Sequence, residues 1–149
     1  MTNQLPEYVY VASSWRNPFQ EAIVALLKGA KIPHYDFKNP APGVKGFSWS
    51  EIDPEWLAWR AKDYREALDN PIAIAGYKND FDAMQKADTF ILVLPCGRSA
   101  HLEMGWAVGA GKRTCIFTHD GEEPELMAKM VDYIATDVNE LLEWLGVNN

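Results

Sequence analysis

A glutamate, Glu103, stands in the run Ser99-Ala100-His101-Leu102-Glu103-Met104-Gly105-Trp106-Ala107, directly after the polar stretch Pro95-Cys96-Gly97-Arg98. Residues 89–94 before it are apolar almost throughout, as a strand buried on both faces of a parallel sheet requires. Small residues then continue to Gly111, which suits the end of a helix over residues 99–110. An acid in the first turn of that helix faces the carboxyl edge of the sheet, where open α/β folds place their ligands. The helix dipole is worth only about 0.3–1 kcal/mol to it, less than one pKa unit, so a carboxylate already ionised at neutral pH is little changed. The ionised form is the one that attacks an anomeric carbon. The plainer alternative is an acid that only complements the dipole. Gly105 and Gly109 cost about 1 kcal/mol each against alanine inside a helix, and they predict close approach of another backbone or a ligand.

A second polar stretch, Ser13-Ser14-Trp15-Arg16-Asn17, precedes Pro18. Asn suits an N-cap and Pro the first helical position, and Gln20 sits where a reciprocal capping partner belongs. Free N–H groups at such a helix start favour an anion, and the planar fork of Arg16 fits a phosphate or carboxylate. Caps need no arginine; the alternative is that Ser14 and Asn17 only cap while Arg16 is solvated. No glycine-rich phosphate loop or dinucleotide fingerprint is present, which argues against a nucleoside triphosphate or NAD held in Rossmann style.

The elements that must position these loops follow from apolar periodicity. Strands are expected over residues 8–12, 33–37, 89–94, 114–118 and 133–135, alternating with helices. The first helix carries Phe19, Ala22, Ile23, Leu26 and Leu27 on one face. Asp53-Pro54 signals a helix reaching about Leu68; a further one runs from Asn70-Pro71 to Lys86 with Ile74, Phe81 and Met84 inward. Asp137 with Glu140 forms a capping box ahead of a terminal helix. Such alternation means a doubly wound parallel sheet of five strands, whose commonest small form has the order 2-1-3-4-5. That order brings loop 13–17 beside loop 95–99. Residues 38–53 read as a long loop with Phe47 and Trp49, the kind that serves as a lid or binding loop. Trp49 is the aromatic expected to stack on a ligand.

Composition sets the outer limits. The chain of 149 residues, 48% hydrophobic and 23% charged, is expected to be a single domain over 1–149. A net charge of -7 argues against nucleic-acid binding, but not against a small anion held by local donors. Cys96 and Cys115 make no disulfide framework, and His34, His101 and His119 show no metal-ligand spacing. No metal and no cofactor are expected. Without a signal stretch or an apolar run of membrane length, a soluble cytoplasmic protein is the reading.

Val9-Tyr10-Val11-Ala12, Tyr77-Lys78-Asn79-Asp80 with Ala87-Asp88, and Leu102-Glu103-Met104-Gly105-Trp106-Ala107 followed by Gly111-Lys112 together resemble the nucleoside 2-deoxyribosyltransferase family. The likeness spans residues 8–118. It implies a flavodoxin-like domain that breaks an N-glycosidic bond through a covalent glycosyl-glutamate. On this sequence it implies Glu103 as nucleophile, Asp80 as the acid that handles the base, and Tyr10 as the tyrosine that orients the glutamate. Gly97 stands where the family's transferases carry an aspartate, a departure that favours hydrolysis over base transfer. Ser14-Trp15-Arg16 is similar to the Ser-x-Arg loop that holds the phosphate in related nucleoside 5′-monophosphate hydrolases, with Arg98 and Ser99 completing that pocket; the expected substrate contacts are Ser14, Arg16, Asn17, Gly97, Arg98 and Ser99. Asp88 fits the helix-to-strand junction better than catalysis. Glu125-Leu126-Met127 falls where the family donates residues across a subunit interface, which implies a homo-oligomer with active sites near it.

The expected function is therefore cleavage of the N-glycosidic bond of a nucleoside 5′-monophosphate or (deoxy)nucleoside, hydrolysis favoured. The substrate is a small molecule, with no nucleic-acid or membrane partner. The alternatives are a true 2-deoxyribosyltransferase, and a non-catalytic or TIR-like nucleotide- or NAD-binding signalling module of the same topology.

Overall fold

Five parallel strands carry the fold, in the order β2-β1-β3-β4-β5. The computed structural model describes residues 4–147. In it the strands are β1 (Val9–Ala12), β2 (His34–Asp36), β3 (Thr89–Val93), β4 (Arg113–Phe117) and β5 (Tyr133–Ala135). The order is the one expected from the alternation of elements. Its switch point lies between β1 and β3, so the loops that leave these two neighbouring strands open at the same edge.

Strand alternation divides the core. Val9, Val11, Ile91, Val93, Cys115 and Phe117 join Ile23 and Leu27 of α1 (Pro18–Gly29) and Leu141 and Leu145 of α5 (Val138–Leu145) in one buried cluster. Tyr10 and Phe90 project to the other face, where Trp106 of α4 (Arg98–Gly109) lies 6.1 Å from the Phe90 ring. Full burial of β3 on both faces explains its unbroken apolar sequence.

Helix ends follow their caps. Asn17 Oδ1 accepts the Phe19 N–H at 2.9 Å, and Pro18 opens α1. Gln20 does not close the expected capping box. It is fully buried, and its Nε2 donates to Asp36 Oδ1 at 2.9 Å, because the end of β2 offers a carboxylate within reach. Asp137 accepts the Glu140 N–H, but Glu140 turns back to the Thr136 N–H and hydroxyl, one residue earlier than expected. Gly111 ends α4 with φ of +75°, a conformation suited to glycine. Asp88 takes the N–H groups of Glu7 and Tyr8 at 3.0 and 3.2 Å, so it ties down the start of β1 at the edge opposite the loops.

Residues Phe37–Gln85 make a second compact unit. It contains short 3₁₀ turns at Trp49–Glu51 and Trp56–Ala58, then α2 (Ala61–Ala67) and most of α3 (Pro71–Lys86). The expected helix from Asp53 to Leu68 is shortened to α2. Asp53 accepts the Glu55 N–H at 2.9 Å and the Trp59 indole N–H at 2.7 Å, which holds a turn; Asp63 then takes the Arg60 N–H and starts the helix there. On α3, Met84 is buried and Phe81 half-buried, but Ile74 is exposed, contrary to its expected inward place. A Cβ on Gly76 would come within 2.9 Å of Phe47 Cβ, so only glycine lets the loop pack there. Among the described residues no helix is long and apolar enough to cross a membrane.

Candidate active site

Glu103 sits in the second turn of α4, half-buried, and its carboxylate accepts a hydrogen bond from the Tyr10 hydroxyl. Tyr10 is only 1% exposed. Its ring stacks on Tyr35 at 5.3 Å and on Phe90 at 5.0 Å, which are also its register partners on β2 and β3. Three aromatic residues, one per strand, therefore fix the hydroxyl that meets the carboxylate. Two of the expected catalytic residues are brought together by this arrangement.

Gly105 and Gly109 have no described atom within 4 Å of the place a Cβ would occupy. The close backbone approach expected from them is thus absent among the described residues, because both glycines face outward from α4.

The two polar loops meet as expected. Ser14 Oγ accepts the Gly97 N–H at 2.7 Å. Asn17, 3% exposed, directs Nδ2 to Val93 O, Pro95 O and Ser13 Oγ at 3.0, 2.9 and 3.0 Å. Ser13 Oγ donates to Val93 O at 2.9 Å, a role the sequence reading missed although Ser13 precedes Ser14. Gly97 is the N-cap of α4 and has no side chain to offer its first-turn N–H groups, which is the setting in which a helix start accepts an anion. Arg98 and Ser99 open that helix and are exposed; Arg16 is exposed on the facing loop.

An open cavity of about 700 Å³ is lined by Cys96, Gly97, Arg98, His101, Leu102 and Glu125. His101 Nδ1 lies 2.9 Å from Gly97 O and 3.6 Å from Cys96 Sγ, so the imidazole packs onto the loop it follows. Burial pushes the Cys96 thiol up to about 12, with the Glu122 and Glu103 carboxylates adding to the effect. A thiol so placed is neutral at physiological pH and is no nucleophile. The buried Cys115 thiol is likewise raised to about 12. Glu125 caps the turn Leu126–Met130 by accepting the Met127 N–H.

Asp80 and Trp49 belong to the Phe37–Gln85 unit. Asp80 is half-buried on α3. Trp49 makes edge contacts with Phe47, Trp59 and Tyr64 at 4.7, 5.7 and 6.0 Å, the packing of an aromatic cluster within its own unit.

No family model matches this chain, and no curated protein matches it at a significant level. Solved structures do. A 2-deoxyribosyltransferase from the psychrotolerant bacterium Bacillus psychrosaccharolyticus superposes with a TM-score of 0.59 and 19% identity, over 90% of this chain and 89% of its own. The CMP N-glycosidase BcmB of Clostridium botulinum gives 0.52 and 18%, over 93% and 97%. At these identities the likeness is one of fold, and in fold the expected resemblance holds. This chain has the flavodoxin-like architecture that the 2-deoxyribosyltransferase and the CMP N-glycosidase share.

Proposed function

We propose that this protein hydrolyses the N-glycosidic bond of a nucleoside 5′-monophosphate, with Glu103 as the nucleophile. The observation that carries the reading is the Tyr10–Glu103 hydrogen bond, which ties β1 to the second turn of the helix that follows β3. A buried hydroxyl bonded to that carboxylate fixes its orientation, which suits in-line attack on C1′. One Glu103 oxygen forms the bond to C1′ as the bond to the base breaks, through an oxocarbenium-like transition state. Asp80, the acid assigned by the family resemblance, supplies the proton that the departing base takes up. Water then attacks C1′, its proton returns to a carboxylate, and Glu103 is released.

The paired loops support the monophosphate. Ser14, Arg16, Arg98 and Ser99 surround two helix starts, and Gly97 as N-cap leaves the first-turn N–H groups of α4 with no side chain over them. Trp49 is assigned to the base, by the loop it occupies. Gly97 in place of an aspartate favours water over a second base as the acceptor. A homo-oligomer with sites near the interface forms part of the same reading, and Leu126 and Met127, 82% and 57% exposed, are the apolar residues available for it.

The test is incubation of the purified protein with nucleosides, nucleoside 5′-monophosphates and NAD, followed by chromatography for free base. Release from monophosphates is expected, with none from Glu103→Ala. Base exchange without net hydrolysis would point to a transferase. Binding without turnover, unchanged by Glu103→Ala, would point to a sensing module.

A further inference from the structure

We propose that Asn17 is a positioning residue that sets the 95–99 turn for phosphate and does so without contacting the ligand; the inference rests on the monophosphate reading above. Asn17 has no N–H left to offer a phosphate. Its Oδ1 holds the Phe19 N–H, and the two protons of Nδ2 are shared among Val93 O, Pro95 O and Ser13 Oγ. Val93 is the last residue of β3, and its carbonyl lies where the sheet ladder ends. A buried carbonyl there needs a donor from outside the ladder, and Asn17 supplies one.

The consequence for the turn follows from peptide planarity. Fixing the Pro95 carbonyl toward Asn17 turns the Cys96 N–H to the opposite side. Ser14 then holds the next N–H, that of Gly97, at 2.7 Å. Two successive peptide units before α4 are thereby set by the first loop, and the helix start inherits their direction. Asn17 at α1's cap, with Ser14 beside it, thus sets the anion-facing geometry of α4.

Asn17→Ser separates this tie from capping, since serine caps a helix as well as asparagine but does not reach the two carbonyls. Asn17→Asp keeps shape and cap while placing a carboxylate against both carbonyls. Amide hydrogen exchange in the ligand-free protein reads the positioning directly. In both variants the Gly97 amide, which Ser14 holds, should exchange about tenfold faster or more as the turn loses its ties to Asn17, while the Ile23 and Leu27 amides of α1 keep their rates. With inorganic phosphate as probe, the dissociation constant should rise about tenfold. The KM for a nucleoside 5′-monophosphate should rise with it. Unchanged exchange at Gly97 would overturn the proposal, as would acceleration spread evenly over α1 and the sheet. Failure of the wild-type protein to bind phosphate would overturn the monophosphate reading instead, and the exchange rates would still decide the positioning.

Discussion

The Tyr10 hydroxyl donates to the Glu103 carboxylate, and the Tyr10 ring is held between Tyr35 and Phe90, its register partners on either side. A contact spanning 93 residues of sequence is thus anchored by strand pairing rather than by a flexible loop. Orientation of the proposed nucleophile is built into the sheet.

Tyr10→Phe removes the donor and leaves the ring stack in place. A hydrogen bond to a charged group is worth about 1.5–3 kcal/mol, so kcat should fall roughly 10- to 100-fold with little loss of stability. Steady-state kinetics together with urea denaturation check both halves. An equal loss of kcat and of folding stability would assign Tyr10 to the core alone.

Arg16→Ala should raise KM for a nucleoside 5′-monophosphate about tenfold or more and leave kcat nearly unchanged, because a guanidinium–phosphate pair is charge-assisted and serves binding. The unphosphorylated nucleoside should show no such change. A fall in kcat with both substrates would place Arg16 elsewhere in the reaction.

Cys96 carries a pH-dependent signature of its surroundings. Its thiol is raised to about 12 by burial, then by Glu122 and Glu103. Iodoacetamide should therefore modify native Cys96 far more slowly at pH 8 than the same residue in urea, with the rate climbing about tenfold per pH unit above that. The linked stability is fully present below the ordinary thiol range and is lost as pH rises toward 12. Glu103→Gln removes one of the raising charges and should speed the modification, as followed by mass spectrometry.

Acid should unfold the protein through carboxylates that folding holds below their ordinary range. The Glu55 N–H and then the Trp59 indole lower Asp53; the Arg60 side chain lowers Asp63; the Thr136 hydroxyl and N–H lower Glu140. Depressed groups contribute their stability above the ordinary carboxylate range and lose it as pH falls through the folded values, so the decline begins below about pH 4. Asp53→Asn with Glu140→Gln should flatten that decline in urea midpoints measured from acid to neutral pH. An unchanged slope would show that other groups carry it.

Strand order and the meeting of the two loops were legible because they follow from apolar runs and the topology of parallel sheets. β5 falls on the residues expected, and α3 begins and ends at its signals. What escaped the sequence was choice among partners. Gln20 had a local capping role open to it and took Asp36 instead, a residue that only the β1–β2 pairing brings near. Asp53-Pro54 carries a helix-start signal, yet the Trp59 indole captures the aspartate into a turn. Asn17 read as a cap and a substrate contact; two of its acceptors, Val93 O and Pro95 O, lie at a strand end that local sequence does not place. Tyr10 and Glu103 were joined beforehand only by family resemblance, since nothing in their own neighbourhoods links them.

The central claim is a covalent bond between Glu103 and C1′ of the sugar. A nucleoside 5′-monophosphate analogue with fluorine at C2′ slows release of the glycosyl-enzyme by destabilising its oxocarbenium-like transition state. After brief incubation and acid quench, intact-mass analysis should show the protein heavier by one fluorinated sugar phosphate, and peptide mapping should place it on Glu103. The adduct should be absent from Glu103→Gln. Stoichiometric base release with no adduct, or an adduct on another residue, would contradict the account.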